Sequence, residues 1–147
     1  MSTRPECVFT RDYVDSNRIN LQHYIWVELF GYRIHPQIPV SLPNLRVADV
    51  GTGTAAWITD LSPHLPSAQL DGLDVSFDAA PPREWLPPNV TLRSFDVKGD
   101  VPADLLGCYD VVHIRNFAFV LLDEELAQAL SNLAKLLKPG GHLQWGE

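Results

Sequence analysis

The stretch that most narrows the possible folds is VADVGTGTAAW, residues 47 to 57. An apolar, β-branched run suits a strand, and the residues after Gly51-Thr52-Gly53 suit a helix. Glycine permits both the tight turn and the close backbone approach that such a junction needs. A strand–glycine–helix junction belongs at the carboxyl end of a parallel sheet, where α/β proteins bind ligands. The same turn can serve helix–strand packing alone, so the glycines need further support before they mark a site.

The rest of the chain repeats the pattern. LRVADV (45–50), QLDGLDV (69–75), VTLRSFDV (90–97), YDVVHIRN (109–116) and HLQWGE (142–147) are predicted strands. Residues 16 to 30 predict a helix, capped by Asp15 or Ser16 and stopped by Gly31, with Ile19, Tyr24, Ile25, Val27 and Phe30 as its apolar residues. A proline-punctuated connector, IHPQIPVSLPN, follows. The helix after the glycine turn should end at Pro63, and the prolines of DAAPPREWLPPN forbid much regular helix there. Asp123 is the expected cap of a helix through Leu137 with Leu126, Leu130, Leu133 and Leu137 on one face, and PGG should turn the chain into the last strand. Strands alternating with helical or irregular crossovers predict an α/β fold: a Rossmann-like, doubly wound, mainly parallel sheet. Residues 1–44 form an expected N-terminal helical extension and linker, and 45–147 the sheet domain.

Charge and composition exclude several functions. A net charge of −7, with no basic cluster longer than two residues, would repel nucleic acid. No apolar run approaches the roughly 20 residues of a membrane span, and the first residues lack the pattern of a secretory signal. Cys7 and Cys108 suggest neither a disulfide framework nor a metal site, so a reducing, cytoplasmic setting is expected.

Three acids accompany the glycine turn. Asp49 lies just ahead of it, while Asp74 and Asp96 end the second and third predicted strands. A carboxylate at Asp74, 23 residues after Gly51, suits both ribose hydroxyls of an adenosine, and one at Asp96 suits an adenine amino group. Gly51-x-Gly53-x-x-Ala56 would also pass as a dinucleotide fingerprint. Asp49 argues against that ligand, because a carboxylate beside the turn repels a pyrophosphate. S-adenosylmethionine instead presents an ammonium and a sulfonium, which a carboxylate attracts.

RINLQHYIW, VADVGTGTAAW, LDGLDVS, WLPPNVTLRSFDV, YDVVHIRNF and LAKLLKPGGHLQWGE together resemble the class I S-adenosylmethionine-dependent methyltransferases. The likeness is nearest to the methyltransferase family of filamentous fungi, many of whose members act in secondary metabolism. The resemblance implies S-adenosylmethionine as cofactor, S-adenosylhomocysteine as product and a small metabolite as methyl acceptor. It implies a cradle of Asp49, Gly51, Thr52 and Gly53, with Asp74 on the ribose and Val75 next to it. Asp96 and Val97 would flank the adenine, and Arg115 and Asn116 the methionine part. Two departures stand out: Ala55 replaces the family's usual third glycine, and only five of the usual seven strands are visible.

Methyl transfer is chiefly a matter of positioning, with a base needed only for a protonated acceptor. His23, on a helix that lids the cofactor in related enzymes, is the candidate base; its alternative is a polar residue on an amphipathic helix. His113 reads as a packed core histidine, and His64 and His142 as solvent-facing. Phe117 and Phe119 are candidates for a substrate wall. A competing function is a methyltransferase-like protein that transfers no methyl group, serving as a cyclase or pericyclase or as a partner subunit. The last strand, 142–147, is expected to be an open edge through which the chain self-associates or binds a partner chain.

Overall fold

The computed structural model describes residues 10–147, so Cys7 and the first nine residues of the expected extension lie outside the described residues. The strands are β1 (Arg46–Val50), β2 (Gln69–Asp74), β3 (Val90–Ser94), β4 (Tyr109–Arg115) and β5 (Leu137–Gly146). They form one sheet in the order β3-β2-β1-β4-β5, and every neighbouring pair is parallel. The order reverses between β1 and β4, which opens a crevice at the carboxyl ends of those two strands.

The helices are α1 (Tyr13–Phe30), α2 (Ala56–Leu61) and α3 (Asp123–Leu136). Trp57, Ile58 and Leu61 of α2 cover one face of the sheet against Val47, Leu70, Leu92 and Val111. Ala129, Leu133 and Leu136 of α3 cover the other against Ala48, Val50, Val112 and Ile114. Burial on both faces explains the near-continuous apolar runs of β1 and β4.

Several local expectations are corrected. Helix α1 starts three residues early because Asp12 is its cap: the Asp12 carboxylate accepts from the Asp15 N–H at 2.8 Å. Gly31 ends it in the left-handed region, as expected. Its apolar residues do not form a buried face, since Tyr24, Ile25 and Phe30 are exposed and His23 is the residue it buries. Pro63 does not end α2. The helix passes at Ser62 into a 3-10 turn, where a proline in the first turn has no N–H to satisfy.

The start and inner face of α3 also differ. Leu122 occupies the cap position, and its N–H is taken by the Glu125 carboxylate at 2.9 Å; Asp123 is already helical. The buried face runs through Ala129, Asn132, Leu133 and Leu136, leaving Leu126 and Leu130 exposed. The PGG segment lies within β5, where the register jumps from Tyr109–Leu137 to Val111–His142 as a bulge. β3 ends at Ser94, so Asp96 and Val97 sit in the loop beyond it.

That loop is held from an unpredicted direction. Asn132, fully buried on α3, donates from its amide nitrogen to the carbonyls of Val97 at 2.8 Å and Gly99 at 2.7 Å. Replacing it leaves two carbonyls of the loop without that donor. Asn132→Ala is expected to lower stability by about 2–3 kcal/mol in urea denaturation, and a loss under about 0.5 kcal/mol would show that water replaces the amide.

Candidate functional site

The glycine turn is built from backbone conformations that few residues tolerate. Gly51, Gly53 and Ala55 have φ of 68°, 55° and 60°. The N–H groups of Gly51 and Thr52 both donate to the Leu73 carbonyl, at 2.7 and 3.1 Å, which ties the end of β1 to the end of β2. A Cβ on Gly51 would lie 2.3 Å from the Phe117 ring, so glycine is required there by space as well as by φ. Ala55 carries its methyl group in the left-handed region while fully buried, a conformation that costs about 1–2 kcal/mol for a non-glycine residue. That cost is the physical reason glycine suits this position.

A cavity of about 480 Å³ opens at the carboxyl ends of β1 to β4. Eight of the ten sequence-predicted binding residues line it: Gly51, Gly53, Asp74, Val75, Asp96, Val97, Arg115 and Asn116. Asp74 already braces the turn, accepting from Gly53 N–H at 2.8 Å through one oxygen and from Val75 N–H at 2.7 Å through the other. Phe117 and Phe119 also face the cavity, and the Phe117 and Ala118 N–H groups donate to Glu147. Ser16, Ile19 and Gln22 bring α1 over the same space. The sequence marked Ser16 as a cap candidate and Ile19 as an apolar helix residue, but neither they nor Gln22 as cavity lining, because α1 lacks the apolar stripe that would orient it.

Asp49 and Thr52 do not line the cavity. Asp49 is buried behind the turn, where its oxygens accept from the Thr52 hydroxyl at 2.7 Å and from His113 Nδ1 at 2.8 Å. His113 stacks on Trp57 with ring centres 3.8 Å apart, and burial pushes its pKa down despite Asp49, so the ring is neutral and donates from Nδ1. The expected core role of His113 matches this placement. The negative charge of Asp49 therefore stands behind the turn without a cationic partner in contact with it.

His23 lies outside the cavity lining. It is fully buried, with Nε2 against Asp60 at 2.9 Å and Nδ1 receiving Arg115 Nη2 at 3.3 Å. Burial lowers its pKa and outweighs the Asp60 hydrogen bond that opposes it. Burial pushes the Asp60 pKa up, but hydrogen bonds from Arg33 and His23 outweigh that and hold it below the ordinary value. Both ring nitrogens are engaged, so His23 joins α1 to α2 and β4. Sequence reasoning found the residue but not this role, since its partners are 37 and 92 positions away. Of the other candidates, His64 is exposed and His142 is half-buried in β5 beside a second groove.

A profile described as a methyltransferase domain matches residues 48–143, and the chain belongs to that family. It is 36% identical over 145 residues to N-methyltransferase tcpN of Claviceps purpurea, covering 94% of this chain and 50% of that protein. It is 37% identical over 139 residues to methyltransferase grgD of a Penicillium species, covering 88% and 48%. The chain thus spans about half the length of these curated relatives. Among solved structures, a 16S rRNA (adenine(1408)-N(1))-methyltransferase mutant from Catenulisporales acidiphilia, with cosubstrate SAM, is similar at a TM-score of 0.56. That match has 25% identity and covers 72% of this chain and 57% of the other. No helix among the described residues is long and apolar enough to cross a membrane.

Two buried, neutral histidines make stability depend on pH. Both pKa values lie below the ordinary 6.5 in the folded chain. As pH falls through that value the unfolded chain takes up protons that the folded chain refuses. The stabilisation is therefore complete above about 6.5 and is lost progressively below it. Asp12, Asp60 and Asp110, whose pKa values are lowered from 3.8, act only at more acid pH. The urea midpoint is expected to fall between pH 7.5 and pH 5, and an unchanged midpoint would show that the two histidines protonate freely in the native state.

Proposed function

We propose that the cavity at the carboxyl ends of β1 to β4 binds S-adenosylmethionine, and that the chain supplies the cofactor-binding part of a methyltransferase acting on a small-molecule metabolite. The observation that carries this is the convergence of Gly51, Gly53, Asp74 and Asp96 on one cavity, with Arg115 and Asn116 across from the acids. Its size lies in the range of small-molecule sites. Two fungal relatives named as methyltransferases support methyl transfer, and the name N-methyltransferase of one supports nitrogen as the acceptor atom.

The residues fit the group in chemical terms. Asp74 stands at the cavity wall with Oδ1 accepting from the Val75 and Ser76 N–H groups and Oδ2 from Gly53 N–H alone, so Oδ2 has a lone pair to offer a ribose hydroxyl. Asp96 is exposed at the mouth, its Oδ1 accepting from the Lys98 N–H, which leaves Oδ2 for an adenine amino group. The aromatic ring of Phe117 walls the side towards the turn. When bound, the cofactor supplies an activated methyl group on a sulfonium. The buried charge of Asp49, one layer behind the turn, favours a cation over a pyrophosphate in that position. In this reading α1, the described helix of the expected extension 1–44, closes the site built by 45–147, with Ser16, Ile19 and Gln22 as its inner surface.

Calorimetry with S-adenosylhomocysteine tests the assignment. Asp74→Ala is expected to weaken binding by about 1–3 kcal/mol, the worth of hydrogen bonds to a charged acceptor. Tighter binding of NAD than of S-adenosylhomocysteine by the unaltered chain would overturn the cofactor.

Among the described residues β5 stands at the edge of the sheet, with one side of its backbone unpaired by a further strand. The reading extends to association through this edge, with a second copy or a partner chain. Light scattering on the purified chain is expected to give more than the monomer mass, and a monodisperse monomer would remove self-association from the reading.

A further inference from the structure

The face of α1 that turns away from the protein is apolar. His23 is the residue that the helix buries, and Leu21 and Ile25 each stand two positions from it. At about 3.6 residues per turn, both lie about 160° round the helix from His23, on its outer side. Leu21 is 61% exposed and Ile25 49%, and Val14 and Leu29 extend the stripe at 73% and 74%. A row of aliphatic side chains along a solvent-facing helix marks an interaction surface, unlike apolar residues exposed singly. The cavity does not account for it, because α1 faces that space through Ser16, Ile19 and Gln22.

The charges on the stripe indicate what fits it. Arg18 and Glu28 flank Leu21 and Ile25, five positions to either side of His23. Glu28 is exposed in the last turn, where the helix dipole is negative, and α1 has no basic residue in that turn. No Lys, Arg or His stands three or four positions from Glu28 to pair with it along the helix. Arg18 donates to Asp15 from Nε at 3.2 Å, but its guanidinium has further N–H donors with which to hold a second carboxylate.

These positions are symmetric about His23, which is what a two-fold axis requires. Two copies of α1 laid antiparallel, with the axis at the level of His23, bring each residue opposite the one equally far beyond that level. Leu21 of one copy then meets Ile25 of the other, and Arg18 of one meets Glu28 of the other, each pairing occurring twice. One register thus satisfies the apolar centre and both flanking ion pairs. We propose that the outer face of α1 is a self-association surface, on which a second copy of this chain docks its own α1 antiparallel. This surface is separate from the β5 edge, and the inference does not depend on the cofactor reading. In the dimer α1 is held from both sides, by His23 within the chain and by the other copy outside it.

Sedimentation velocity of the whole chain over a range of concentrations tests the pairing. One helix pair is smaller than a standard interface, so a dimer dissociation constant on the order of 10 μM is expected. Leu21→Glu and Ile25→Glu are each expected to raise it about 10-fold or more, since both put a charge into the apolar centre. Arg18→Glu and Glu28→Arg should each weaken association alone, because every copy then meets a like charge across the axis. An equimolar mixture of these two variants should dimerise as well as the unaltered chain, since each Arg again faces a Glu. Should Arg18→Glu fail to fold for want of its Asp15 bond, Leu21→Glu and Ile25→Glu still decide the matter. A monomer at every concentration would overturn the proposal. So would association that survives Leu21→Glu and Ile25→Glu, or a mixture no better associated than its two components.

Discussion

The Leu73 carbonyl, with the N–H groups of Gly51 and Thr52 converging on it, is the joint on which the site depends. Those two bonds require the chain to reverse immediately after β1, and the reversal requires positive φ at Gly51 and Gly53. Once made, it carries Gly53 to Asp74 and leaves Gly51 in contact with Phe117 from the loop after β4. Three strand ends are thereby tied together by one turn. Ala55 extends the same left-handed geometry and so stores strain at the entrance to α2, a feature common near ligand sites.

Polar interactions, rather than an apolar face, hold α1 in place. Most of its large apolar side chains are exposed, while His23 is sealed between α2 and β4. Further along, the Gln144 amide donates to the Arg33 carbonyl and accepts from His35 N–H, anchoring the connector after α1 to β5. A segment docked by a few directional bonds can separate with less loss than one docked by a broad hydrophobic surface.

Buried acids elsewhere follow a different logic. Asp71, inside β2, accepts from Arg46 and from the Tyr109 hydroxyl, each at 2.8 Å. Burial and the neighbouring Asp71 charge push the Tyr109 pKa up, which keeps the phenol a donor. These bonds join the three side chains within the sheet, while Arg46 Nε is buried without a hydrogen-bond partner among the described residues. Asp49 shares its burial but is served by neutral groups alone, so its charge remains uncompensated by contact and is felt by Arg115 and by whatever lies across the glycine turn.

How much the sequence determined by itself can be read off particular residues. Alternation of β-branched runs with glycine and proline punctuation was enough for five strands and their parallel arrangement, because a doubly buried strand must be apolar on both faces. It was enough to bring Gly51, Gly53, Asp74, Asp96, Arg115 and Asn116 to one crevice, because all sit at strand ends and a parallel sheet places those ends together. Exact caps and helix faces were less legible, since Asp12 competed with Asp15 and Ser16, and Leu126 and Leu130 looked as apolar as the buried Ala129 and Leu136. Only the tertiary structure decided that Asp49 turns away from the cavity, that His23 serves Arg115, and that Asn132 holds the loop carrying Asp96. Those roles are hydrogen bonds between residues 33 to 92 positions apart, and local pattern carries no information about which distant partner a buried polar group will find.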